Sequence, residues 1–176
     1  YENLVLKGGG IRGIAYAGSL KVLEEKHITN DIENVAGTSV GAIVGTLYSV
    51  GYTADEIYQI MLRLKVHSLN DGKWFFIGGQ HRLRKDFGWY RGMVLQRWLN
   101  RLIKDKTGYD SLTFLQLHEL HLKDNRYKDL YITATNVSLQ RMELLSYKTF
   151  PQMQIVNAVR ASTAVPLYYA AVLMDS

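Results

Sequence analysis

Val35-Ala36-Gly37-Thr38-Ser39-Val40-Gly41 begins as a short apolar strand and passes through a Gly-x-Ser-x-Gly pattern into the apolar run 42–48. That run predicts a buried helix, and Gly51 predicts its end. A serine at such a strand-to-helix joint sits on a sharp, strained turn with its hydroxyl above the sheet. Neighbouring backbone passes close to the turn, so positions 37 and 41 need glycine. The context favours a nucleophile turn over a chance match in a Gly/Ser-rich loop, and it predicts an α/β fold.

A second glycine-rich stretch, Gly8-Gly9-Gly10-Ile11-Arg12-Gly13, lies earlier in the chain. It follows the apolar run Leu4-Val5-Leu6 and leads into a predicted helix over 14–26. Free N–H groups and the helix dipole at such a joint favour an anion. We therefore expect N–H groups of this loop, together with the N–H of Val40, to hold the oxyanion formed when Ser39 attacks a carbonyl.

The same glycines also fit the dinucleotide-binding pattern G-x-G-x-x-G, through Gly8, Gly10 and Gly13. That interpretation needs a following strand that ends in an acidic residue about 20 residues beyond the glycines. Asp31 and Glu33 instead precede the next strand, which runs into the serine turn. Nucleotide binding is therefore the less favoured alternative.

The chain resembles the patatin-like phospholipases from Leu4 to about Leu173. The resemblance is carried by the two motifs above and by a third stretch, Ala158-Val159-Arg160-Ala161-Ser162-Thr163-Ala164-Val165-Pro166. The resemblance implies a three-layer α/β/α fold with a mostly parallel central sheet. It also implies hydrolysis of acyl esters, usually of phospholipids or lysophospholipids, by a Ser–Asp dyad without histidine. In this chain the nucleophile would be Ser39, and the oxyanion loop would be Gly8, Gly9 and Gly10. The residues that would support the loop and the turn are Ile11, Arg12, Gly13, Gly37, Thr38 and Gly41.

The family's base is the aspartate of a D-G-[GA] motif after the region that matches Pro166. No Asp-Gly-Gly or Asp-Gly-Ala occurs in this sequence, and Asp71-Gly72 is followed by lysine. Asp175 falls where a hairpin turn is expected, so it is the less favoured candidate acid. We expect the chain to be truncated just short of its base. The alternative is a catalytically inert module of the same fold that binds lipid or a partner.

Histidine offers no better base, because no local signature marks His67, His81, His118 or His121. The segment His118-Glu119-Leu120-His121 spaces its histidines by three residues, whereas a zinc helix of the H-E-x-x-H type spaces them by four. We interpret this pair as a solvated helix face. The chain has no cysteine. The sequence therefore predicts neither a metal site nor a cofactor.

Length and composition predict a single domain over 1–176, because 176 residues with 47% hydrophobic content supply ample core. No apolar run approaches the roughly 20 residues that span a bilayer. No signal peptide is visible, so we expect a cytoplasmic or peripheral-membrane protein. Strand patterns at 130–135 and 142–147 and a capping box at Thr53-Ala54-Asp55-Glu56 support alternating strands and helices.

The net charge of +5 is concentrated between His81 and Lys106, next to a run of aromatic residues. Such a mixture suits an anionic membrane surface. From Met93 to Lys106, however, Leu95, Trp98, Leu99 and Leu102 form a core-facing stripe. The loop 72–92 is therefore the better candidate for peripheral membrane contact or a lid. No nucleic-acid motif accompanies the charge, so the expected partner is a phospholipid or other acyl ester and not nucleic acid.

Overall fold

The computed structural model describes residues 1–64, 88–90, 92–164, 167–169 and 172. Four strands form one sheet in the order β1-β2-β4-β5, in which β1, β2 and β4 are parallel and β5 is antiparallel. A second, two-stranded parallel sheet pairs β3 with β6. The strands are β1 Asn3–Leu6, β2 Asn34–Gly37, β3 Gly88–Tyr90, β4 Asp129–Asn136, β5 Arg141–Leu145 and β6 Leu167–Tyr169.

The helices are α1 Ala15–Glu25, α2 Val40–Ser49, α3 Ala54–Arg63, α4 Met93–Thr107, α5 Phe114–His121 and α6 Ile155–Ser162. Short 3-10 turns cover Gly10–Ile14 and Ile28–Asp31. The predicted capping box begins α3, where Thr53 and Glu56 satisfy each other's backbone N–H groups. A local sequence signal therefore fixes where α3 begins.

Helix α2 lies directly on one face of the sheet. Register and strand alternation put Leu4, Val35 and Leu130 on this face. A Cβ added to Gly45 would lie 3.2 Å from Val35 Cγ1, so glycine lets the helix approach closely. Every residue of α2 is buried, as the apolar run predicts.

The opposite face carries Val5, Ala36 and Tyr131 in register. Helix α5 contacts it near the start of β4, where the His118 side chain hydrogen-bonds Asp129. Val5 itself is 75% exposed. The described residues thus form a mixed α/β fold with a mostly parallel sheet, which confirms the predicted class.

Helix α4 presents the predicted core-facing stripe. Leu95, Leu99 and Ile103 are buried, while Trp98 and Leu102 are half-buried against the core. Gly108 ends the helix in the left-handed conformation that glycine tolerates best. Apart from β3 and Gly92, the loop 72–92 lies outside the described residues. Within the described part of the chain, no helix is long and apolar enough to cross a membrane.

Candidate active site

Ser39 joins β2 to α2 with a backbone φ of 54° and ψ of −121°. A positive φ is rare for residues other than glycine and costs on the order of 1–3 kcal/mol. Such strain persists only where the surroundings impose it, and it clusters at functional sites. The sharp strained turn predicted at this serine is present.

Two glycines make the turn sterically possible. A Cβ on Gly37 would collide with the carbonyl oxygen of Gly41, and a Cβ on Gly41 would collide with the carbonyl oxygen of Leu6. The first turn of α2 therefore sits against the carboxyl end of β1. This contact is the close approach of backbone that the Gly-x-Ser-x-Gly pattern predicts.

The glycine loop lies beside the serine. A Cβ on Gly8 would lie 3.5 Å from Ser39 Cβ, and one on Gly13 would overlap Val40 Cγ2. Gly10 has a φ of 55°, in the left-handed region. The two motifs meet because β1 and β2 are parallel neighbours, so the segments that follow them leave the same edge of the sheet.

Several polar groups lie at this edge of the sheet. Within the described ranges, the N–H groups of Gly8, Gly9, Gly10 and Val40 make no hydrogen bond, nor does the Ser39 hydroxyl. The Val40 N–H is also the first of α2, where the helix dipole is positive. An anion next to Ser39 would find these donors unoccupied.

Two side chains that the motifs do not identify hold the turn. The Ser39 N–H donates to Ser162 Oγ at 2.8 Å, and the Thr38 and Thr133 hydroxyl oxygens lie 2.6 Å apart. Only the strand register identifies Thr133 as a neighbour of Thr38. Gly37 of β2 pairs with Ile132 of β4, and Thr38 and Thr133 are the next residues along the two strands. Ser162 lies in the third stretch that carries the family resemblance, but its sequence context gave it no role.

Ile11 and Arg12 point away from these contacts. Ile11 is 84% exposed, and the Arg12 side chain is exposed as well. Among the described residues the Arg12 guanidinium has no hydrogen bond or ion pair. The support that Ile11 and Arg12 would give the loop therefore stays a prediction.

The candidate acid Asp175 lies outside the described residues. The interpretation of the histidine pair as a solvated face is wrong. The His118 ring lies 2.8 Å from Asp129 Oδ1 and stacks on Tyr147 with centroids 3.8 Å apart, while His121 Nδ1 lies 2.9 Å from the Tyr127 carbonyl oxygen. Both histidines are half-buried, because α5 turns this side toward β4.

This histidine cluster is remote from Ser39. Asp129 pairs with Asn34 at the start of β2, whereas Ser39 follows the end of that strand. At about 3.3 Å per residue the two ends of β2 are about 10 Å apart. In the described ranges, no three Asp, Glu, His or Cys side chains are grouped to hold a metal ion.

In this mostly parallel α/β sheet, the second strand passes through a strained serine turn into a buried helix. This arrangement is typical of the class of α/β proteins in which such a turn carries a nucleophilic serine. The model of the patatin-like phospholipase family matches residues 4–176. The chain belongs to that family.

The chain is also similar to several known proteins. The uncharacterized protein R571 of Acanthamoeba polyphaga mimivirus is 34% identical over 99% of this chain and 55% of its own length. The probable lipid hydrolase 463L of Invertebrate iridescent virus 6 is 28% identical over 96% of this chain and 55% of its own length. ExoU of the Pseudomonas aeruginosa type III secretion system has the same fold, with a TM-score of 0.71 and 20% identity over 93% of this chain and 38% of its own. The chain thus spans about half the length of the curated relatives it matches.

Proposed function

We propose that the protein hydrolyses carboxylic esters of phospholipids or lysophospholipids, with Ser39 as the nucleophile. The observation that carries the proposal is the strained backbone of Ser39, which lies beside a glycine loop whose N–H groups bond to none of the described residues. A strained nucleophile next to preorganised donors suits acyl transfer. Membership of the patatin-like phospholipase family supports a lipid as the acyl donor.

In the proposed reaction, Ser39 Oγ attacks the ester carbonyl carbon and its proton passes to a base. The N–H groups of Val40 and of the Gly8–Gly10 loop hold the resulting oxyanion. The tetrahedral intermediate collapses, and the alcohol leaves with the proton from the base. Water then gives a proton to the base and attacks the acyl carbonyl carbon; the bond to Ser39 Oγ breaks, Oγ regains the proton from the base, and the fatty acid is released. Each oxyanion donor of this kind contributes roughly 10²–10³ in rate.

The base in this proposal is an aspartate carboxylate that forms a dyad with Ser39. A serine hydroxyl is a weak nucleophile until a neighbouring group accepts its proton. Across the described residues, no carboxylate hydrogen-bonds Ser39. We favour an aspartate that follows residue 176 in the natural protein, with Asp175 as the less favoured candidate.

Labelling with a fluorophosphonate, followed by peptide mapping, tests the nucleophile. We expect an adduct on Ser39 in the full-length protein and none in Ser39→Ala. Ser19→Ala is the matched control, because it removes a serine hydroxyl from the exposed face of α1. An adduct on a protein that consists of residues 1–176 only would place the base within these residues, with Asp175 as the first candidate. An adduct only in the longer protein would place the base beyond Ser176.

Hydrolysis assays with phosphatidylcholine and lysophosphatidylcholine test the substrate class. We expect fatty acid release from at least one of these lipids, and less than 1% of that rate in Ser39→Ala, because loss of a nucleophilic serine lowers kcat by several orders of magnitude. A protein that binds lipid vesicles but neither labels nor hydrolyses would be the inert binding module. If a dinucleotide raised the melting temperature, nucleotide binding would gain support instead.

A further inference from the structure

The stretch from Ala158 to Pro166 carries family resemblance but has no part in the proposed chemistry. We propose that Ser162 within it is a positioning residue, which locks the strained backbone of Ser39 and so keeps the nucleophile aimed at the substrate. This inference rests on the proposed function. It adds a residue that makes no contact with the reacting atoms and acts through Ser39.

Both peptide groups that flank the Ser39 Cα are held by hydrogen bonds. The Ser39 N–H donates to Ser162 Oγ at 2.8 Å. The Ser39 carbonyl oxygen accepts from the N–H groups of Ala42 at 2.9 Å and Ile43 at 3.1 Å. Because φ and ψ describe rotation of these two peptides about the Cα, fixing both fixes the strained conformation.

The hydrogen bond between the Ser39 N–H and Ser162 is tertiary, whereas the two hydrogen bonds to the Ser39 carbonyl oxygen are local. The bonds to the Ser39 carbonyl belong to the first turn of α2 and form wherever that helix forms. Ser162 is 123 residues away in sequence and approaches from the end of α6. It therefore fixes φ, the angle that α2 leaves free, and φ is the angle that lies in the unfavourable region at 54°.

Helix α6 is a firm support for this contact. Ile155, Val156, Ala158 and Val159 are buried in the core. Next to Ser162, the buried Thr163 hydroxyl donates to the Val159 carbonyl oxygen at 2.9 Å and ties down the end of the helix. The acceptor oxygen of Ser162 is thus carried by a packed element, as a positioning contact requires.

The same contact decides which amides can serve the oxyanion. Since the Ser39 N–H is occupied, the donors left at the turn are Val40 N–H and the glycine loop. Loss of the Ser162 oxygen would free the Ser39 amide and let φ relax. The hydroxyl of Ser39 and the Val40 N–H would then shift together, because both are attached beyond the Ser39 N–Cα bond about which φ turns.

The experiment compares Ser162→Ala, Ser162→Thr and Thr163→Val in the full-length protein. Thr163→Val is the matched control, because it removes a hydroxyl from the same helix end without touching Ser39. For Ser162→Ala we expect kcat and the rate of fluorophosphonate labelling to fall about 10-fold to 100-fold, with KM changed less than about twofold. Ser162→Thr, which keeps the oxygen, should recover to within about threefold of wild type.

Amide hydrogen exchange at Ser39 reports on the contact without any turnover. In Ser162→Ala this amide should exchange about 10-fold faster than in wild type, and in Thr163→Val it should not. Equal exchange in Ser162→Ala and wild type would overturn the inference, as would equal losses of kcat in Ser162→Ala and Thr163→Val. Failure of wild type itself to label would count against the proposed function, whereas the exchange rates would still decide the role of Ser162.

Discussion

At the Ser39 turn, the space available for one extra Cβ atom decides whether a position accepts any residue other than glycine. Gly41 has no space for a Cβ atom, because a Cβ there would collide with the carbonyl oxygens of Leu6 and Lys7. Gly18 lies on the exposed side of α1 and would meet nothing within 4 Å. The two positions therefore form a matched pair for the same chemical change.

We expect Gly41→Ala to lower the free energy of unfolding by at least about 2 kcal/mol, since backbone must move to admit the methyl group. Gly18→Ala should raise the free energy of unfolding by about 0.5–1 kcal/mol, because alanine restricts the unfolded chain and favours helix. Urea titration of both variants measures the difference. A Gly41→Ala protein as stable as wild type would contradict the close packing of α2 against β1.

At the level of elements, the start of α3 is coupled to α4 through one carboxylate. Glu56 closes the capping box with Thr53 and accepts a hydrogen bond from Lys106 Nζ at 2.8 Å. Partial burial would raise the pKa of Glu56, but the hydrogen bonds from Lys106 and Thr53 outweigh it and lower the pKa. The second capping box, at Thr113 and Gln116, begins α5 without a titratable group.

This pair of caps predicts different responses to acid. Because the pKa of Glu56 is lowered on folding, its contribution to stability is complete above the ordinary value of 4.5 and is lost as pH falls through the lowered value. Glu56→Gln keeps a residue that can close the box, so its stability deficit against wild type should shrink below that pH. The deficit of Gln116→Ala should not change with pH.

The measurement is chemical unfolding of each variant from pH 7 down to about pH 3. Thr53→Ala in the same series should cost about 1 kcal/mol at neutral pH, the usual effect of losing an N-cap. A deficit for Glu56→Gln that stays constant down to about pH 3 would show that Lys106 does not stabilise the ionised form.

At the level of the whole molecule, the net charge of +5 favours anionic surfaces. Helix α4 exposes Arg97 and Arg101 while its apolar side packs into the core. The loop 72–92 combines arginines with aromatic residues. We expect the loop to be the better site for an anionic membrane, because its sequence adds aromatic residues suited to the headgroup region.

We expect the double variant Arg82→Glu/Arg84→Glu to weaken binding to phosphatidylserine vesicles about 30-fold or more, at about 1 kcal/mol for each cation lost near the surface. Arg97→Glu/Arg101→Glu changes the net charge equally, and it should weaken binding less than about threefold, as a long-range effect screened by salt. Vesicle sedimentation at two salt concentrations measures both. Equal losses would mean that net charge, and not the loop, controls binding.

Much of the local structure could be predicted from the sequence because its causes are local. The serine turn, the buried α2, the cap of α3 and the end of α4 at Gly108 each follow from glycine conformation, capping or apolar periodicity within a few residues. The approach of the glycine loop to Ser39 followed as well, since parallel strands bring their carboxyl ends to one edge. These signals and the family resemblance were enough to indicate the α/β class.

Contacts between segments that are distant in the sequence were decided only by the tertiary structure. The bond from Ser39 to Ser162, the contact of Thr38 with Thr133 and the burial of His118 against Asp129 depend on strand register and helix packing. The hydrogen-bond partner of a hydroxyl or imidazole group cannot be predicted from the sequence. Such a group can bond with water, with backbone or with any side chain that the fold brings near. The sequence alone therefore determined the turn that presents Ser39, and packing determined what holds that turn in place.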